Sequence, residues 1–349
     1  MSNAPIGYGI VGLGLIAEVH ARALAAVHGA RLVGVASRSA EKTRDFGARH
    51  GALVSTASVA ELAGRPDIQV ICVTTPSGAH LEPALEAIVA GKHVVVEKPI
   101  EVTLERIDRM LEAADRGGVL VGSIFQGRFG AGAQALKRAV EENRFGSIAL
   151  ASVRVRWNRT PEYYASGWHG TESLDGGGVL MNQAIHGVDL LQWCLGLPRT
   201  VFGWSARRAH VGIESEDTVV ASLQFGSGAL GTIEASTAHY PGWARRVEIG
   251  GADGSAVLED DRLVKWDFRQ ERPDDERIRS SPADPRLGGG AGSPTAISDE
   301  GHIRQLQDFT DAVRAGRKPA VDGREGRNAV AIVRAIYRSA GSGRAVELR

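Results

Sequence analysis

A glycine-rich turn between a predicted strand and a predicted helix constrains the fold of this chain more than any other feature. The turn follows an apolar run over 5–11, precedes a helical pattern over 15–28, and has the sequence Gly12-Leu13-Gly14-Leu15-Ile16-Ala17. The first glycine of such a turn permits a tight bend, and the second lets the backbone approach a pyrophosphate at the helix N-terminus. We therefore predict a dinucleotide site that includes Gly12, Leu13, Gly14, Leu15 and Ile16. The alternative is a strand-to-helix turn without a ligand.

The first third of the chain alternates short apolar strands with helices. Strands are predicted over 5–11, 31–36, 54–55, 68–74, 92–96 and 118–124, and helices over 15–28, 40–50, 58–63, 79–90 and 103–116. This order is typical of a parallel, doubly wound α/β sheet. We accordingly predict that residues 1–127 form a dinucleotide-binding Rossmann domain.

The pattern changes after residue 127. Most segments between 147 and 267 are β-like, and several alternate apolar and polar residues, which is typical of an antiparallel sheet with one face on a core. Further helices are predicted over 131–142, 177–195, 301–315 and 325–340, and a long mobile loop over 269–299. Residues 128–349 are therefore predicted to form a substrate-binding and oligomerisation α+β domain with a large open, mostly antiparallel sheet.

Charge and composition exclude several classes of protein. The 349 residues include 41 Lys and Arg and 41 Asp and Glu, so the basic excess of a nucleic-acid binder is absent. No apolar run reaches the roughly 18 residues of a membrane span, and the first residues do not resemble a secretory signal. Cys72 and Cys194 both lie in apolar runs, which predicts buried thiols in a reducing compartment rather than a disulfide or metal site. We expect a cytoplasmic protein.

The residues after the second predicted strand bear on the choice of cofactor. An Asp or Glu at this point usually binds the ribose 2′-hydroxyl of NAD, but this chain has Ser37-Arg38-Ser39. Because a guanidinium can pair with a 2′-phosphate, Ser37 and Arg38 favour NADP over NAD. The alternative is that Arg38 stacks on adenine and tolerates either cofactor.

A lysine follows the fifth predicted strand. Glu97-Lys98-Pro99 comes directly after the strand, at the sheet edge where ligands of parallel sheets bind. The same edge receives Thr75 and Pro76 after the preceding strand and Gln126 after the next one. Lys98 could donate a hydrogen bond to a substrate oxygen and stabilise its charge. We predict that Thr75, Pro76, Glu97, Lys98 and Gln126 contact the cofactor; the alternative for Lys98 is a solvated loop lysine.

A third signal is a glycine triplet, Gly176-Gly177-Gly178, that leads into a predicted helix. Asn182, His186 and Asp189 are spaced at i, i+4 and i+7, so they share one helix face. His186 is a candidate general base because its intrinsic pKa lies near neutral pH, although a satisfied core histidine is the alternative. Asp189 either orients this imidazole or caps a neighbouring turn. No second His or Cys lies at ligand spacing, so we predict no metal site.

These motifs together resemble the Gfo/Idh/MocA family of oxidoreductases. The matching stretches cover almost the whole chain: Gly12 to His20, Thr75 to His80, Gly91 to Pro99, Gly176 to Asp189, Asp308 to Pro319 and Asp322 to Arg344. The resemblance implies a Rossmann domain followed by an open mixed-sheet domain. It also implies NAD(P), a sugar or cyclitol substrate, and homodimers or homotetramers built through the sheet of the second domain.

The resemblance assigns roles to several residues. Lys98 and His186 match the catalytic pair of the family, and His80 joins the predicted cofactor contacts. The usual aspartate four residues before the histidine is Asn182 here, which cannot accept a proton and can only orient a hydroxyl or the nicotinamide. Some relatives that act on nucleotide sugars are similar in having Asn there. Tyr163, Tyr164 and Trp168 match a stretch over cofactor and substrate; Trp168 could instead be a core or interface residue.

The predicted activity is hydride transfer between a nicotinamide and a carbinol or carbonyl of a sugar, cyclitol or sugar derivative. Two alternatives stay open. The chain could be a catalytically silent ligand sensor of the same fold, or a dehydrogenase of a non-sugar substrate such as a dihydrodiol or an imine.

Overall fold

The computed structural model describes residues 4–165, 167–281 and 298–348. These residues form two compact units. The first unit contains the described residues up to Gln126 together with 298–327, and the second contains those from Gly127 to 281 together with 328–348.

The first unit is a three-layer α/β unit. Along the chain it contains β1 (Ile6–Val11), α1 (Leu15–Ala26), β2 (Ala30–Ala36), α2 (Ala40–His50), β3 (Val54–Thr56), α3 (Val59–Ala63), β4 (Val70–Val73), α4 (Leu81–Val89), β5 (His93–Val96), α5 (Leu104–Gly117) and β6 (Val121–Ser123). The six strands are parallel, in the order β3-β2-β1-β4-β5-β6. The sheet confirms the predicted doubly wound fold.

The short apolar strands of this sheet are covered on both faces. All four residues of β4 are buried, and so are the last five of β1, which is why these runs show no alternation of apolar and polar residues. The helices bury one face each. In α5 the buried residues recur at helical spacing, and they are Ile107, Met110, Leu111 and Ala114.

The second unit is built on an eight-stranded sheet. It contains α6 (Ala131–Glu141), β7 (Ile148–Arg156), α7 (Pro161–Tyr164), a π-helical turn (Leu180–Ala184) that runs into α8 (Ile185–Leu195), β8 (Pro198–Ala206), β9 (Thr218–Phe225), β10 (Leu230–Ser236), β11 (Arg246–Gly251), β12 (Gly254–Glu259), β13 (Arg262–Phe268) and α9 (Asp275–Ser280). Three elements follow: α10 (Glu300–Ala315), α11 (Gly323–Ser342) and β14 (Val346–Glu347). The strand order is β13-β12-β11-β7-β10-β9-β8-β14, and the β7–β10 pair is parallel while the other pairs are antiparallel.

The predicted alternation of apolar and polar residues in this sheet corresponds to alternating burial of side chains. In β9 the side chains of Val219, Ala221, Leu223 and Phe225 are buried, whereas those between them are exposed or half-buried. Strand β9 therefore places one set of side chains on the core and the other on the outer face.

The division of the chain differs from the predicted boundary at 127/128 for one segment. Helix α10 belongs to the first unit, although we assigned all of 128–349 to the second domain. The reason is its apolar face: Leu306 and Phe309 are buried in the same core cluster as Tyr8 and Leu24. Helix α11 begins in the first unit and continues into the second.

The predicted loop over 269–299 needs a correction in its first part. Residues 275–280 form the short helix α9, because the carboxylate of Asp275 is held by Arg144, at 2.7 Å and 2.8 Å, and by the indole N–H of Trp266, at 2.7 Å. Residues 282–297 of that loop lie outside the described part of the chain. Across the described residues we find no helix with the length and apolar character that crossing a lipid bilayer requires.

Candidate active site

The glycine turn of the first unit leaves room for a ligand. Gly12 has φ +88°, and a Cβ there would lie 2.7 Å from the backbone nitrogen of Thr75, so only glycine fits beside the end of β4. Gly14 precedes α1, and a Cβ built on it meets nothing within 4 Å. A cradle that a side chain would fill thus lies at the helix N-terminus, which fits a dinucleotide pyrophosphate. The Leu13 side chain packs in the core, so Leu13 could contribute only its backbone.

The segment after β2 has its hydroxyl groups engaged within the unit. The Ser37 and Thr43 hydroxyl oxygens lie 2.7 Å apart, and the Ser39 hydroxyl accepts a hydrogen bond from the backbone N–H of Lys42 at the start of α2. Arg38, between them, has an exposed side chain. Of the residues predicted to select the cofactor, Arg38 is therefore the one with an exposed charged side chain, whereas the Ser37 hydroxyl is half-buried and engaged with Thr43.

His80 ties two strand ends together. Its ring nitrogens lie 2.9 Å from the carbonyl oxygens of Thr75 and Pro99, which follow β4 and β5. The side chain is buried, and burial lowers its pKa, although the buried carboxylate of Glu101 acts in the opposite direction. The structure thus gives His80 protein partners, where the sequence analysis expected a cofactor contact.

Glu97 is the centre of a buried cluster. Its Oε1 lies 2.8 Å from Nε2 of His20 in α1 and 3.3 Å from Nε2 of His302 in α10, while its Oε2 accepts the backbone N–H of Lys98 at 3.0 Å. Burial opposes ionisation, but the hydrogen bonds from His20 and His302 outweigh it and hold the pKa of Glu97 well below its usual range. His302 was not predicted, since 205 residues separate it from Glu97.

Lys98 and Gln126 complete this edge of the sheet. Lys98 is half-buried directly after Glu97. The side-chain oxygen Oε1 of Gln126 is buried and has no hydrogen-bond partner among the described residues. A buried amide oxygen in that state fits a ligand that brings its own N–H donor.

Asn182 and His186 lie on the helical segment that follows the glycine triplet in the second unit. The segment begins with the π-helical turn Leu180–Ala184, which contains Asn182, and α8 begins at the residue before His186. Nδ2 of Asn182 donates a 2.6 Å hydrogen bond to Oδ1 of Asp175, a residue just before the triplet. The sequence predicted a regular helix here; π-helical turns occur frequently at functional sites.

Asp189 has a partner that the sequence analysis did not anticipate. Its two carboxylate oxygens accept hydrogen bonds of 2.8 Å and 2.6 Å from Nε and Nη2 of Arg128, and both side chains are buried. Gln192 donates to the same carboxylate at 3.3 Å. This ion pair joins the start of the second unit to α8.

Two further residues missed by the sequence analysis hold the start of the helical segment. The Glu216 carboxylate accepts the backbone N–H groups of Gly178 and Leu180, at 3.0 Å and 2.9 Å, and the hydroxyl of Tyr337 at 2.9 Å. Burial raises the pKa of Glu216, although these hydrogen bonds oppose the rise. Glu216 occupies the position of a helix cap, but its distance along the chain from residue 178 hides that role in the sequence.

The predicted aromatic residues form one cluster in the second unit. The rings of Tyr163 and Trp168 each lie against His169, with centroids 4.1 Å and 3.9 Å apart. The Tyr163 hydroxyl accepts a 3.1 Å hydrogen bond from Gln183, the neighbour of Asn182. Burial raises the pKa of Tyr164 to about 12, although its hydrogen bond with Thr237 opposes the rise. The Tyr163 and Tyr164 rings also lie against each other, with centroids 5.0 Å apart, so the three predicted aromatic residues belong to one connected group.

Two family models match the chain. Residues 6–125 match the oxidoreductase family with an NAD-binding Rossmann fold, and residues 133–257 match the Gfo/Idh/MocA C-terminal domain. Together they cover most of both units.

Full-length relatives agree with these matches. The WlbA dehydrogenase from Bordetella pertussis, solved with NADH and UDP-GlcNAcA, is 34% identical, with 99% of each chain covered and a TM-score of 0.87. The Chromobacterium violaceum WlbA enzyme, solved with the same two ligands, is 33% identical over 100% of this chain and 97% of its own, with a TM-score of 0.89. The 1,5-anhydro-D-fructose reductase of Ensifer adhaerens is 28% identical over 98% of both chains. The chain therefore belongs to the Gfo/Idh/MocA family of NAD-binding oxidoreductases, and its homologues include sugar and cyclitol dehydrogenases and reductases.

Proposed function

We propose that this protein transfers hydride between a nicotinamide and a ring carbinol of a nucleotide-linked sugar acid. When bound, the nicotinamide supplies the chemistry of accepting or donating hydride at its C4. The His186 imidazole takes the proton of the reacting hydroxyl, and Lys98 Nζ donates a hydrogen bond to the same oxygen. Asn182, held by Asp175, orients a hydroxyl or the nicotinamide carboxamide rather than taking a proton.

The observation that carries this proposal is the position of Lys98. It follows β5 directly, at the carboxyl end of a parallel sheet whose glycine turn leaves an open cradle at Gly14. Ligands of such sheets bind beyond the carboxyl ends of the strands. An ammonium at that edge suits a substrate oxygen that gains charge while hydride leaves its carbon. The cofactor contacts are proposed to be the backbone from Gly12 to Ile16 together with Ser37, Arg38, Thr75, Pro76 and Gln126, with His80 and Glu97 supporting them from the core.

The substrate class rests on the likeness to the two WlbA enzymes. Both were solved with UDP-GlcNAcA, and each matches this chain over nearly its whole length. Asn182 favours the same class, since the resemblance includes nucleotide-sugar enzymes with Asn at that position. Tyr163, Tyr164 and Trp168 are proposed to contact the sugar ring, because aromatic faces pack against the apolar faces of pyranose rings.

We further propose that NADP is preferred over NAD. The support is Arg38, whose exposed guanidinium follows β2 where NAD-selective sites have a carboxylate. A guanidinium pairs with the 2′-phosphate of NADP, whereas a carboxylate would repel it.

A homodimer or homotetramer is proposed to form through the outer face of the eight-stranded sheet. Trp204 and Val220 are a cross-strand pair on this face, and they are 62% and 47% exposed. Leu150 and Leu230, a second pair, are each 54% exposed. Exposed apolar side chains that share one face of a sheet support an interface there. Light scattering should give a dimer or tetramer, and Val220→Glu should give a smaller species; a monomeric wild type would contradict the assignment.

A reducing compartment such as the cytoplasm is proposed from the cysteines. Cys72 and Cys194 are both buried free thiols. Unpaired buried cysteines are common in proteins of reducing compartments, where disulfides rarely form.

Absorbance at 340 nm tests the activity. The purified protein is incubated with NAD or NADP and with UDP-GlcNAcA, UDP-GlcNAc, myo-inositol or glucose. We expect reduced cofactor to accumulate with UDP-GlcNAcA, and Lys98→Met and His186→Ala to lower kcat by about 10²- to 10⁴-fold, the usual contribution of a positioned acid or base. If Lys98→Met kept the wild-type kcat, this role of Lys98 would be wrong. Cofactor binding without turnover of any substrate would favour the ligand-sensor alternative.

A further inference from the structure

We propose that His20 and His302 are positioning residues for Lys98, acting through the carboxylate of Glu97. This inference rests on the function proposed above for Lys98. All of the groups involved lie in the first unit: His20 in α1, Glu97 and Lys98 after β5, and His302 in α10.

One carboxylate connects the two histidines to the backbone of the lysine. Nε2 of His20 and Nε2 of His302 lie 2.8 Å and 3.3 Å from the same oxygen, Oε1 of Glu97. The other oxygen, Oε2, accepts the N–H of Lys98 at 3.0 Å. Rotation of the carboxylate would therefore break the contact with the lysine backbone together with the contacts to the histidines.

The unpartnered ring nitrogens favour one arrangement of donors in this cluster. Nδ1 of His20 and Nδ1 of His302 are buried and have no hydrogen-bond partner among the described residues. When each Nε2 carries the ring proton, it donates a hydrogen bond to Glu97, and each Nδ1 is an acceptor only. No N–H donor is then buried without a partner. Burial also lowers the pKa of His20, although its hydrogen bond to Glu97 opposes the change, so a neutral imidazole is favoured there.

The same nitrogens argue against a metal ion, although two histidines and a carboxylate with ligand atoms within 4.8 Å could hold one. A metal bound at Nε2 would require the proton to sit on Nδ1. Ligating histidines almost always donate that second N–H to a carboxylate, carbonyl or water. Neither Nδ1 has a carboxylate or carbonyl acceptor within the described ranges, so a hydrogen-bonded network accounts for the cluster better.

The network has to be complete because the carboxylate is buried. Glu97 is 5% exposed, and a buried carboxylate is costly unless donors replace its lost hydration. Two imidazole N–H groups and the Lys98 N–H supply three donors. Without one imidazole, the carboxylate would turn toward the donors that remain or toward water, and the peptide before Lys98 would turn with it. A displacement of about 1 Å at a reacting group can lower a rate by about 10²-fold.

A matched pair of variants tests this inference. His302→Leu removes the donor while keeping an apolar side chain of similar size, and His302→Gln places an amide N–H close to the former Nε2. We expect His302→Leu to lower kcat by about 10- to 100-fold while the Kd for NADP changes by less than about 3-fold, and His302→Gln to recover most of the rate. Equal kcat values for the Leu and Gln variants, or a parallel loss of kcat and cofactor affinity, would overturn the proposal.

A double variant separates positioning from general stability. In the Lys98→Met background, His302→Leu should change kcat by less than about 2-fold, because the histidine acts through the lysine that is already missing. A full further loss would mean that His302 acts by another route, and the proposal would fail. If His302→Leu does not fold, the same cycle is run with Glu97→Gln, which keeps the side-chain volume, and the same outcomes decide.

The two proposals fail in different ways. Wild-type kcat in Lys98→Met would remove the proposed function of the lysine. A large loss in Lys98→Met combined with wild-type kcat in both His302→Leu and Glu97→Gln would leave that function intact and overturn only the positioning role.

Discussion

Nδ2 of Asn182 donates a 2.6 Å hydrogen bond to Oδ1 of Asp175, and both side chains are buried in the second unit. The other oxygen of Asp175 accepts the backbone N–H of Gly170 at 2.8 Å. An aspartate at position 182, which is usual at this point in the family that the chain resembles, would place a second carboxylate against Asp175. Two carboxylates in contact would need a shared proton between them. The Asn182 amide donates to the Asp175 carboxylate and needs none.

We predict that Asn182→Asp destabilises the protein in a pH-dependent way. Two carboxyl groups in contact share one proton, so their apparent pKa in the folded state lies above the value of about 3.9 in the unfolded chain. The folded state then binds more protons, and its stability falls as the pH rises from about 4 through the raised pKa. Urea unfolding at pH 8 should show a loss of about 1–3 kcal/mol relative to wild type, with a smaller loss at pH 5.

The exchange of the two side chains is the matched control for that variant. In Asn182→Asp combined with Asp175→Asn, one carboxylate again faces one amide, so most of the stability at pH 8 should return. Equal stability of Asn182→Asp and wild type at pH 8 would contradict the contact between the side chains of residues 182 and 175.

Arg128 should be essential for the stability of the second unit. Its guanidinium forms two hydrogen bonds with Asp189, and the two side chains are 3% and 1% exposed. Arg128→Met leaves a buried carboxylate without its counter-ion, which typically costs about 3–5 kcal/mol. Denaturant unfolding followed by tryptophan fluorescence measures the change.

An exposed ion pair provides the comparison. The side chains of Arg324 and Asp115 are 63% and 66% exposed, and Nη2 of Arg324 lies 2.8 Å from Oδ2 of Asp115. Surface pairs contribute about 0–1 kcal/mol, so Arg324→Met should change the unfolding midpoint only slightly. Similar losses in the two Met variants would show that burial does not set the strength of the Arg128 pair.

Arg38 should determine the choice between NADP and NAD. Its side chain is exposed after β2, and a charged hydrogen bond of roughly 1.5–3 kcal/mol to a 2′-phosphate corresponds to about a 10- to 100-fold preference. Arg38→Asp should reverse the ratio of kcat/KM for the two cofactors, since a carboxylate repels the phosphate and accepts from a ribose hydroxyl. A wild type with strong preference for NAD would make this assignment wrong.

Local patterns predicted most of the fold. The parallel sheet followed from apolar runs that lack alternation, and the second sheet from the alternation in segments such as β9. The glycine turn was found at Gly12 and Gly14 because tight turns and close approaches restrict the choice of residue at single positions. Each of these signals lies within about ten residues of sequence.

The contacts that build the site could not be predicted in the same way. Glu97 and His302 are 205 residues apart, and Arg128 and Asp189 are 61 residues apart. A lone histidine in α10 has the same local pattern whether it faces the core or a carboxylate. For the same reason the sequence placed α10 in the second domain, whereas the structure places it in the first unit. An apolar helix face does not specify which core it covers.

The buried histidines of the first unit should make the protein sensitive to acid. Burial lowers the pKa of His20 and of His80, so below about pH 6.5 the unfolded chain binds protons that the folded chain excludes. Stability therefore falls as the pH drops below about 6.5. Glu97 adds to this at lower pH: its depressed pKa stabilises the fold above the unfolded value of about 4.3, and that contribution is lost as the pH falls further.

Unfolding midpoints between pH 8 and pH 5 measure this dependence of stability on pH. His20→Gln, which cannot titrate, should reduce the loss between pH 7 and pH 5. A midpoint that stays constant from pH 8 to pH 5 in the wild type would mean that His20 and His80 gain protons as readily in the folded state as in the unfolded one.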